Sequence, residues 1–342
     1  MMSQRTSPGE PLTAPDAGPV AIPRGRPSVD VKDLASRTSL IGLWLLVFVL
    51  NGIFQGDVFL QSGTFQTIFG SQFELVFLTV ALIVTFTVGE FDLSIASCMG
   101  LSGTLVPVLA VQNDWPIGLA VLAALAAAGA VGVVNGFLVV KIGVDAIVAT
   151  LGMSTLVLGL TLWTTDVNAV SGLSEGFTQV ATRDVLGLPI GFFYGLAACV
   201  ILAYVLWMTP LGRRMAFVGS SREVARLAGV NVNRIRFGSY VVGALISGMA
   251  GVLLASTLAG YDPNTSTTYL LPAFAAVFLG TSVITPGKFN PIGAFIAVYF
   301  LQTGIVGLQL AGLTGWVSDV FYGGALVLAV AATTLIRKRA ER

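Results

Sequence analysis

The sequence predicts an all-α polytopic membrane protein with about ten transmembrane helices and one short charged helix between the sixth and the seventh. Three observations carry that prediction. Mean hydropathy is +0.87, with 55% of residues hydrophobic and 10% charged, whereas soluble domains are charged at about a quarter of their positions. Apolar runs of roughly 20 residues recur along the chain, separated by glycine, proline and polar clusters. The basic residues gather in three places, and the number of spans between those places keeps all three on one side of a membrane.

Residues 1–38 are rich in Pro, Gly, Ser and Arg without a hydrophobic period, and they read as a disordered N-terminal tail. The first apolar stretch begins only near Leu40, too late for a cleavable signal peptide, so it is expected to be kept as a span. The transmembrane domain runs over 39–336. Its ten spans fall near 39–56, 72–89, 93–111, 116–140, 143–164, 188–208, 236–259, 268–285, 289–310 and 318–336. Two of them, 72–89 and 268–285, are short enough to be tilted or broken. Residues 337–342 form a basic C-terminus.

Of the 18 basic residues, five lie in the tail, six between Arg213 and Arg236, and four at the C-terminal end. The positive-inside rule places all three groups, and therefore both termini, in the cytoplasm. Six spans precede the middle group and four follow it, both even. Lys141 also falls inside, and the mixed-charge loop from Thr165 to Gly187 falls outside.

The chain has no histidine, which removes the commonest general base and metal ligand. Cys98 and Cys199 both sit in apolar runs and read as small buried residues, not as a disulfide or a metal site. An enzyme is not expected, and neither a metal nor a nucleic-acid partner is called for.

The middle charged stretch, GSSREVARLAGVNVNRI at 219–235, is organised. Ser220 and Glu223 have the spacing of a capping box, in which each side chain satisfies a free backbone N–H at a helix start. Gly229 supplies a C-terminal stop, so the spacing predicts a helix over about 221–228. Asn231 or Asn233 caps the next span. Val224, Leu227 and Ala228 form an apolar face. The plain alternative is a loop that only sets topology, but such a loop has no need of a cap, a stop and an apolar face. A short amphipathic helix of this kind suits insertion into a partner's groove.

At these residues the chain resembles a known family. The stretch GRRMAFVGSSREVARLAGVNVNRIRFGSYVVGALISGMAGVLLAS is similar to the cytoplasmic coupling segment and following helix of ribose-type permeases of bacterial ABC importers. TVGEFDLSIASCMGLSGTLV, NGFLVVKIGVDAIVATLGMSTLVLGL and AAVFLGTSVITPGKFNPIGAFI resemble three further family segments, in the expected order. Glu90 stands where the first of them has glycine, and Thr285, Pro286, Lys288 and Asn290 alter the glycine-rich turn of the last.

The resemblance implies a permease subunit in the bacterial inner membrane that works as a homodimer, moving a monosaccharide or related polyol from periplasm to cytoplasm. It also implies a periplasmic sugar-binding protein and a cytoplasmic ATPase, the latter binding ATP and magnesium, with no cofactor in this chain. The coupling segment spans 211–235, and its docking residues would be Ser220, Ser221, Arg222, Glu223, Ala225, Arg226, Ala228 and Gly229.

Inside the membrane, Glu90 and Asp92 interrupt an apolar region, and a charged group at mid-bilayer costs about 3 kcal/mol or more. Asp92 reads most simply as a cap for a helix starting at Leu93, with Glu90 at the cytoplasmic rim. Ser94, Asn135, Thr150, Ser154, Thr281 and Ser282 join these two carboxylates as candidates for the substrate pathway, although interhelical hydrogen bonding accounts for most neutral polar groups on spans. GTSVITPGKF, 280–289, has the wrong glycine spacing for a phosphate loop and Phe289 in place of its Ser or Thr. Two other cargoes keep the architecture, nucleosides or branched-chain amino acids. A different class is an ion-coupled secondary transporter using Glu90 and Asp92, and a purely structural subunit is the last alternative.

Overall fold

The computed structural model describes residues 31–313 and 315–340; the first 30 residues of the predicted tail at 1–38, Thr314 and the last two residues lie outside the described residues. Helix α1, Val31–Phe59, begins inside the stretch read as tail and breaks at Gly56, whose φ of 50° no helix interior tolerates. It is followed by α2, Ser62–Gly70, and α3, Phe73–Thr87. The predicted second span, 72–89, corresponds to α3, and α2 extends it at the N-terminal side, so that the segment Ser62–Thr87 is long enough to cross a bilayer.

The remaining elements follow the hydropathy closely. Helix α4, Ile95–Pro107, passes at Pro107 into a π-helical turn, Val108–Gln112. Helix α5, Ile117–Gly136, passes in the same way into Phe137–Ile142, ending at Gly143 in the left-handed region. Helix α6, Ala146–Thr165, is capped by Asp145, which accepts from the backbone N–H groups of Ile147 and Val148. After the amphipathic α7, Glu175–Thr182, come α8, Ile190–Met208, α9, Pro210–Ser220, α10, Arg222–Leu227, and α11, Val232–Leu258. The chain closes with α12, Leu270–Gly280, α13, Pro291–Leu310, and α14, Trp316–Ala340.

Among the described residues, eight helical segments are long and apolar enough to span a membrane, and two shorter apolar helices lie at the predicted eighth and tenth spans. Together they account for the ten predicted. Ser62–Thr87 and Pro291–Leu310 each have 78% of their apolar window buried, against 6% for Thr38–Phe59. The core therefore lies around α3 and α13, while α1 is peripheral. Helix α11 is the second organiser, packing on α3, α4 and α5.

Close approach of α11 depends on missing side chains. A Cβ at Gly132 of α5 would lie 2.6 Å from the Tyr240 carbonyl oxygen and 2.8 Å from the Ala244 Cβ, and one at Gly251 would collide with α4 at Met99 and Ser102. Two short strands, β1, Val170–Ser171, and β4, Gly260–Tyr261 (β2, Asp184–Val185, and β3, Leu188–Pro189, form a separate hairpin between them in sequence), pair antiparallel. That pairing ties the 165–187 loop to the end of α11 opposite the charged segment. Ser256 adds to it by donating to the Phe177 carbonyl at 2.7 Å.

Candidate functional site

The charged segment folds as two helices in series because three caps punctuate it. Thr209 caps α9 by accepting from the Gly212 N–H, with Pro210 in the first turn where its missing N–H costs nothing. Ser221 caps α10, its Oγ accepting from the Val224 N–H at 3.4 Å. Gly229, at φ 80°, stops α10, and Asn231 caps α11 through the Arg234 N–H at 3.1 Å.

This corrects the expected capping box. Helix α9 runs through Ser220, whose hydroxyl donates back to the Phe217 carbonyl at 2.8 Å and is unavailable as a cap. With the cap at Ser221, the third helical position is Val224, so Glu223 stands one place too early to complete a box. The helix is also shorter than expected, Arg222–Leu227. Its predicted apolar face is real: Val224 is 52% and Leu227 84% exposed, and Ala228 is exposed beside them. Ala225 points inward and is fully buried, while Glu223, Arg226 and Gly229 are at the surface.

The segment rests on the turn between α3 and α4. Helix α3 ends in a left-handed Gly89, φ 76°, with the Glu90 N–H returning to the Thr85 carbonyl at 3.0 Å and the Gly89 N–H to Phe86. Gly219 lies against this turn, and a Cβ there would collide with the Thr87 carbonyl oxygen. Two glycines back to back let α9 touch the end of α3.

Here Glu90 becomes the centre of an ionic knot. Its side chain is 1% exposed, beneath the segment and not at an open rim. Arg222 donates through Nη2 to Oε1 at 2.9 Å and to the Gly89 carbonyl at 3.0 Å. Arg236, in the first turns of α11, also pairs with Oε1. The Tyr240 hydroxyl donates to Oε2 at 3.0 Å. A buried carboxylate is stable only when paired and hydrogen-bonded, and Glu90 is both.

Asp92 does not cap a helix starting at Leu93. Helix α4 starts at Ile95, and Asp92 makes a local turn, accepting at Oδ1 from the Ser94 N–H at 2.9 Å and the Ser94 hydroxyl at 2.7 Å. Asn135 donates to the Ser94 oxygen at 2.7 Å, the Leu93 N–H donates to Thr150 at 3.0 Å, and Ser97 and Ser154 share a hydrogen bond of 2.6 Å. Ser247 of α11 donates to the Ile95 carbonyl. Residues 89–97 are thereby tied to α5, α6 and α11.

The structure thus brings six of the predicted pathway residues, Glu90, Asp92, Ser94, Asn135, Thr150 and Ser154, into one region. Thr281 and Ser282 lie elsewhere, in the turn after α12, where each hydroxyl donates back to its own helix, to Phe278 and Leu279. They border a groove of about 480 Å³ with Leu43, Phe300 and Phe321. Arg236 and Tyr240 were not anticipated, although an intramembrane carboxylate always asks for a partner. Glu74 was missed as well. It is 2% exposed in the first turn of α3, accepts from the Thr257 hydroxyl at 3.3 Å, and stands out in sequence as a lone acid at the head of an apolar run.

Residues 64–330 match the family model described as the permease component of the branched-chain amino acid transport system. The chain belongs to this permease family. It is accordingly the membrane-spanning permease subunit of an ABC importer, a transport component and not an enzyme. It is 30% identical over 330 residues to the L-arabinose ABC transporter permease protein AraH of Azospirillum brasilense, covering 96% of this chain and 94% of that one. It is 32% identical over 255 residues to the ribose import permease protein RbsC of Bacillus subtilis, covering 73% and 79%. It is 32% identical over 272 residues to the autoinducer 2 import system permease protein LsrD of Escherichia coli K12, covering 77% and 82%. No solved structure matches the chain.

Proposed function

We propose that this permease imports a monosaccharide or related polyol across the bacterial inner membrane, with both termini in the cytoplasm, and that a cytoplasmic ATPase docks on α10. The observation that carries the docking assignment is the bare apolar pair Val224 and Leu227 on a helix that is capped, stopped and pinned from beneath by Ala225 and Arg222. An exposed apolar face on an otherwise charged segment fits a groove in a partner. The docking surface comprises Ser220, Ser221, Glu223, Arg226, Ala228 and Gly229, with Ala225 as its buried root and Arg222, whose guanidinium turns to Glu90 and the Gly89 carbonyl, as its anchor to the bundle and not a contact to the ATPase.

In this reading the ATPase holds ATP and magnesium. The 280–289 turn of the permease is unsuited to cradle phosphate, because Asn290 fills it, donating to the Gly280 and Val283 carbonyls at 3.1 and 3.0 Å. A periplasmic binding protein delivers the sugar to a permease homodimer embedded in lipid. ATP binding draws the ATPase subunits together, moves the docked helices and changes the side to which the pathway opens; hydrolysis resets it. Thr281 and Ser282 line part of that pathway, and the knot around Ser94, Asn135, Thr150 and Ser154 borders it.

Sugar is favoured as cargo by the arabinose and ribose names of the relatives. A second reading, a branched-chain amino acid, is favoured by the family's description. A carboxylate substrate calls for a free cation or helix N-terminus in the membrane. Arg236 is already taken by Glu90, which weighs against that cargo.

The test is co-purification of the cognate ATPase with wild-type chain and with Leu227→Asp plus Glu223→Arg, together with uptake of labelled pentoses, hexoses and leucine. Loss of complex and uptake with the variant still inserted supports docking at α10, and the panel identifies the cargo. Full ATP-dependent uptake by the variant refutes it.

A further inference from the structure

We propose that Glu90 is the positioning residue through which movement of docked α10 enters the transmembrane bundle, with Arg222 as its releasable partner and Arg236 and Tyr240 as its fixed ones. The proposal rests on the ABC-permease reading above. It is carried by the geometry of one carboxylate shared among three elements.

Oε1 accepts from two guanidinium groups that differ in setting. Arg222 belongs to α10 and has a side chain 45% exposed, whereas Arg236 belongs to α11 and is 13% exposed. Water stands ready to replace Glu90 as the partner of Arg222, so that contact breaks and reforms cheaply. Arg236 and Tyr240 have no such replacement, so their hold on the carboxylate persists when α10 shifts. The ion pair therefore has a moving side and a stationary side.

What Glu90 moves is also visible. Arg222 grips the backbone as well as the side chain, through the Gly89 carbonyl. From Glu90 the chain runs directly into Asp92, Leu93, Ser94 and Ser97, whose bonds reach Asn135 on α5 and Thr150 and Ser154 on α6. A displacement at Arg222 is thus delivered at the start of α4 and shared with two neighbouring spans. The knot has a mechanical consequence that an isolated surface salt bridge lacks.

The experiment uses permease purified with its ATPase subunit, reconstituted in liposomes with the binding protein, and a labelled pentose that the wild-type complex takes up. Uptake per ATP hydrolysed, ATPase retention and thermal stability are compared for wild type, Arg222→Ala, Arg222→Lys, Glu90→Gln, the Arg222→Ala/Glu90→Gln double variant and Lys141→Ala as a distant charge control. Arg222→Ala is expected to keep the ATPase and the stability of wild type while uptake per ATP falls on the order of tenfold. Arg222→Lys restores part of it, Lys141→Ala loses none, and the double variant is no worse than Glu90→Gln alone.

Unchanged uptake per ATP in Arg222→Ala overturns the proposal. So does a double variant whose losses multiply, since the two residues then act separately. Release of the ATPase by Arg222→Ala makes Arg222 a docking residue instead and also overturns it. Failure of the permease reading is seen elsewhere, in a wild-type complex that drives no ATP-dependent uptake at all.

Discussion

Arg222 and Glu90, 132 positions apart in sequence, meet at 2.9 Å between Nη2 and Oε1. The same oxygen pairs with Arg236, whose side chain is largely buried. The two contacts look alike on paper and differ in energy. Removing Arg236 leaves a buried carboxylate short of its main counter-charge, at a cost of about 3–5 kcal/mol. Removing Arg222 costs about 0–1 kcal/mol, as for exposed pairs generally. Thermal unfolding of detergent-purified Arg236→Ala and Arg222→Ala should show a large drop for the first and almost none for the second. Equal drops would mean that exposure does not separate the two contacts.

The cap of α10 gives a local test. Ser221→Ala removes the acceptor for the Val224 N–H and should destabilise this helix by about 1 kcal/mol. Ser220→Ala removes only a back-bond to Phe217 within α9 and should leave α10 unchanged. Hydrogen exchange of the amides from Val224 to Ala228 reads the difference directly. Faster exchange in Ser220→Ala than in Ser221→Ala would restore Ser220 as the cap.

What was legible in the sequence follows from the range over which each signal acts. Hydropathy is a local average, so the ten apolar segments were readable, including the short second and eighth. Gly229 and Asn231 were readable as stop and cap because their chemistry concerns neighbours a few residues away. The capping box failed by one residue because two adjacent serines, Ser220 and Ser221, offer the same hydroxyl and only the end of α9 decides between them. The ionic knot was not readable at all. Nothing local to Glu90 tells whether Arg222, Arg236 or another of the clustered arginines will reach it, since folding of α3 against α9 and α11 makes that choice.

Gly132 illustrates packing that substitutions can measure. An added Cβ would sit 2.6 Å from the Tyr240 carbonyl oxygen and 2.9 Å from the Val241 Cα, both backbone atoms that cannot step aside. Gly132→Ala should therefore cost about 1–3 kcal/mol by forcing α5 away from α11. It should also disturb Tyr240, and with it the second oxygen of Glu90. Gly152 on α6 has nothing within 4 Å of the corresponding position, so Gly152→Ala should be neutral within about 0.5 kcal/mol or slightly stabilising. Thermal unfolding of the two variants side by side checks this, and a tolerated Gly132→Ala would show that the α5–α11 contact is looser than its geometry.

Asp92 makes stability depend on pH with a definite sign. Burial raises its carboxyl above the usual range, partly offset by the bonds from Ser94, and Oδ2 has no hydrogen-bond partner among the described residues. The folded chain then keeps this proton at pH values where the unfolded chain has released it. Stability from this group is present below the unfolded value and is lost as pH rises through the folded one, since the native state binds the extra proton across that window. Asp92→Asn retains an oxygen for Ser94 and supplies a permanent neutral group, so its unfolding temperature should fall less than that of wild type as pH rises from about 4 to about 7. The difference between the two profiles isolates Asp92 from the other acids of the chain, because those titrate alike in both proteins. Parallel profiles would mean that the Asp92 carboxylate is ionised in the fold without penalty, and that the water-excluding turn around Ser94 and Asn135 is not as closed as its burial indicates.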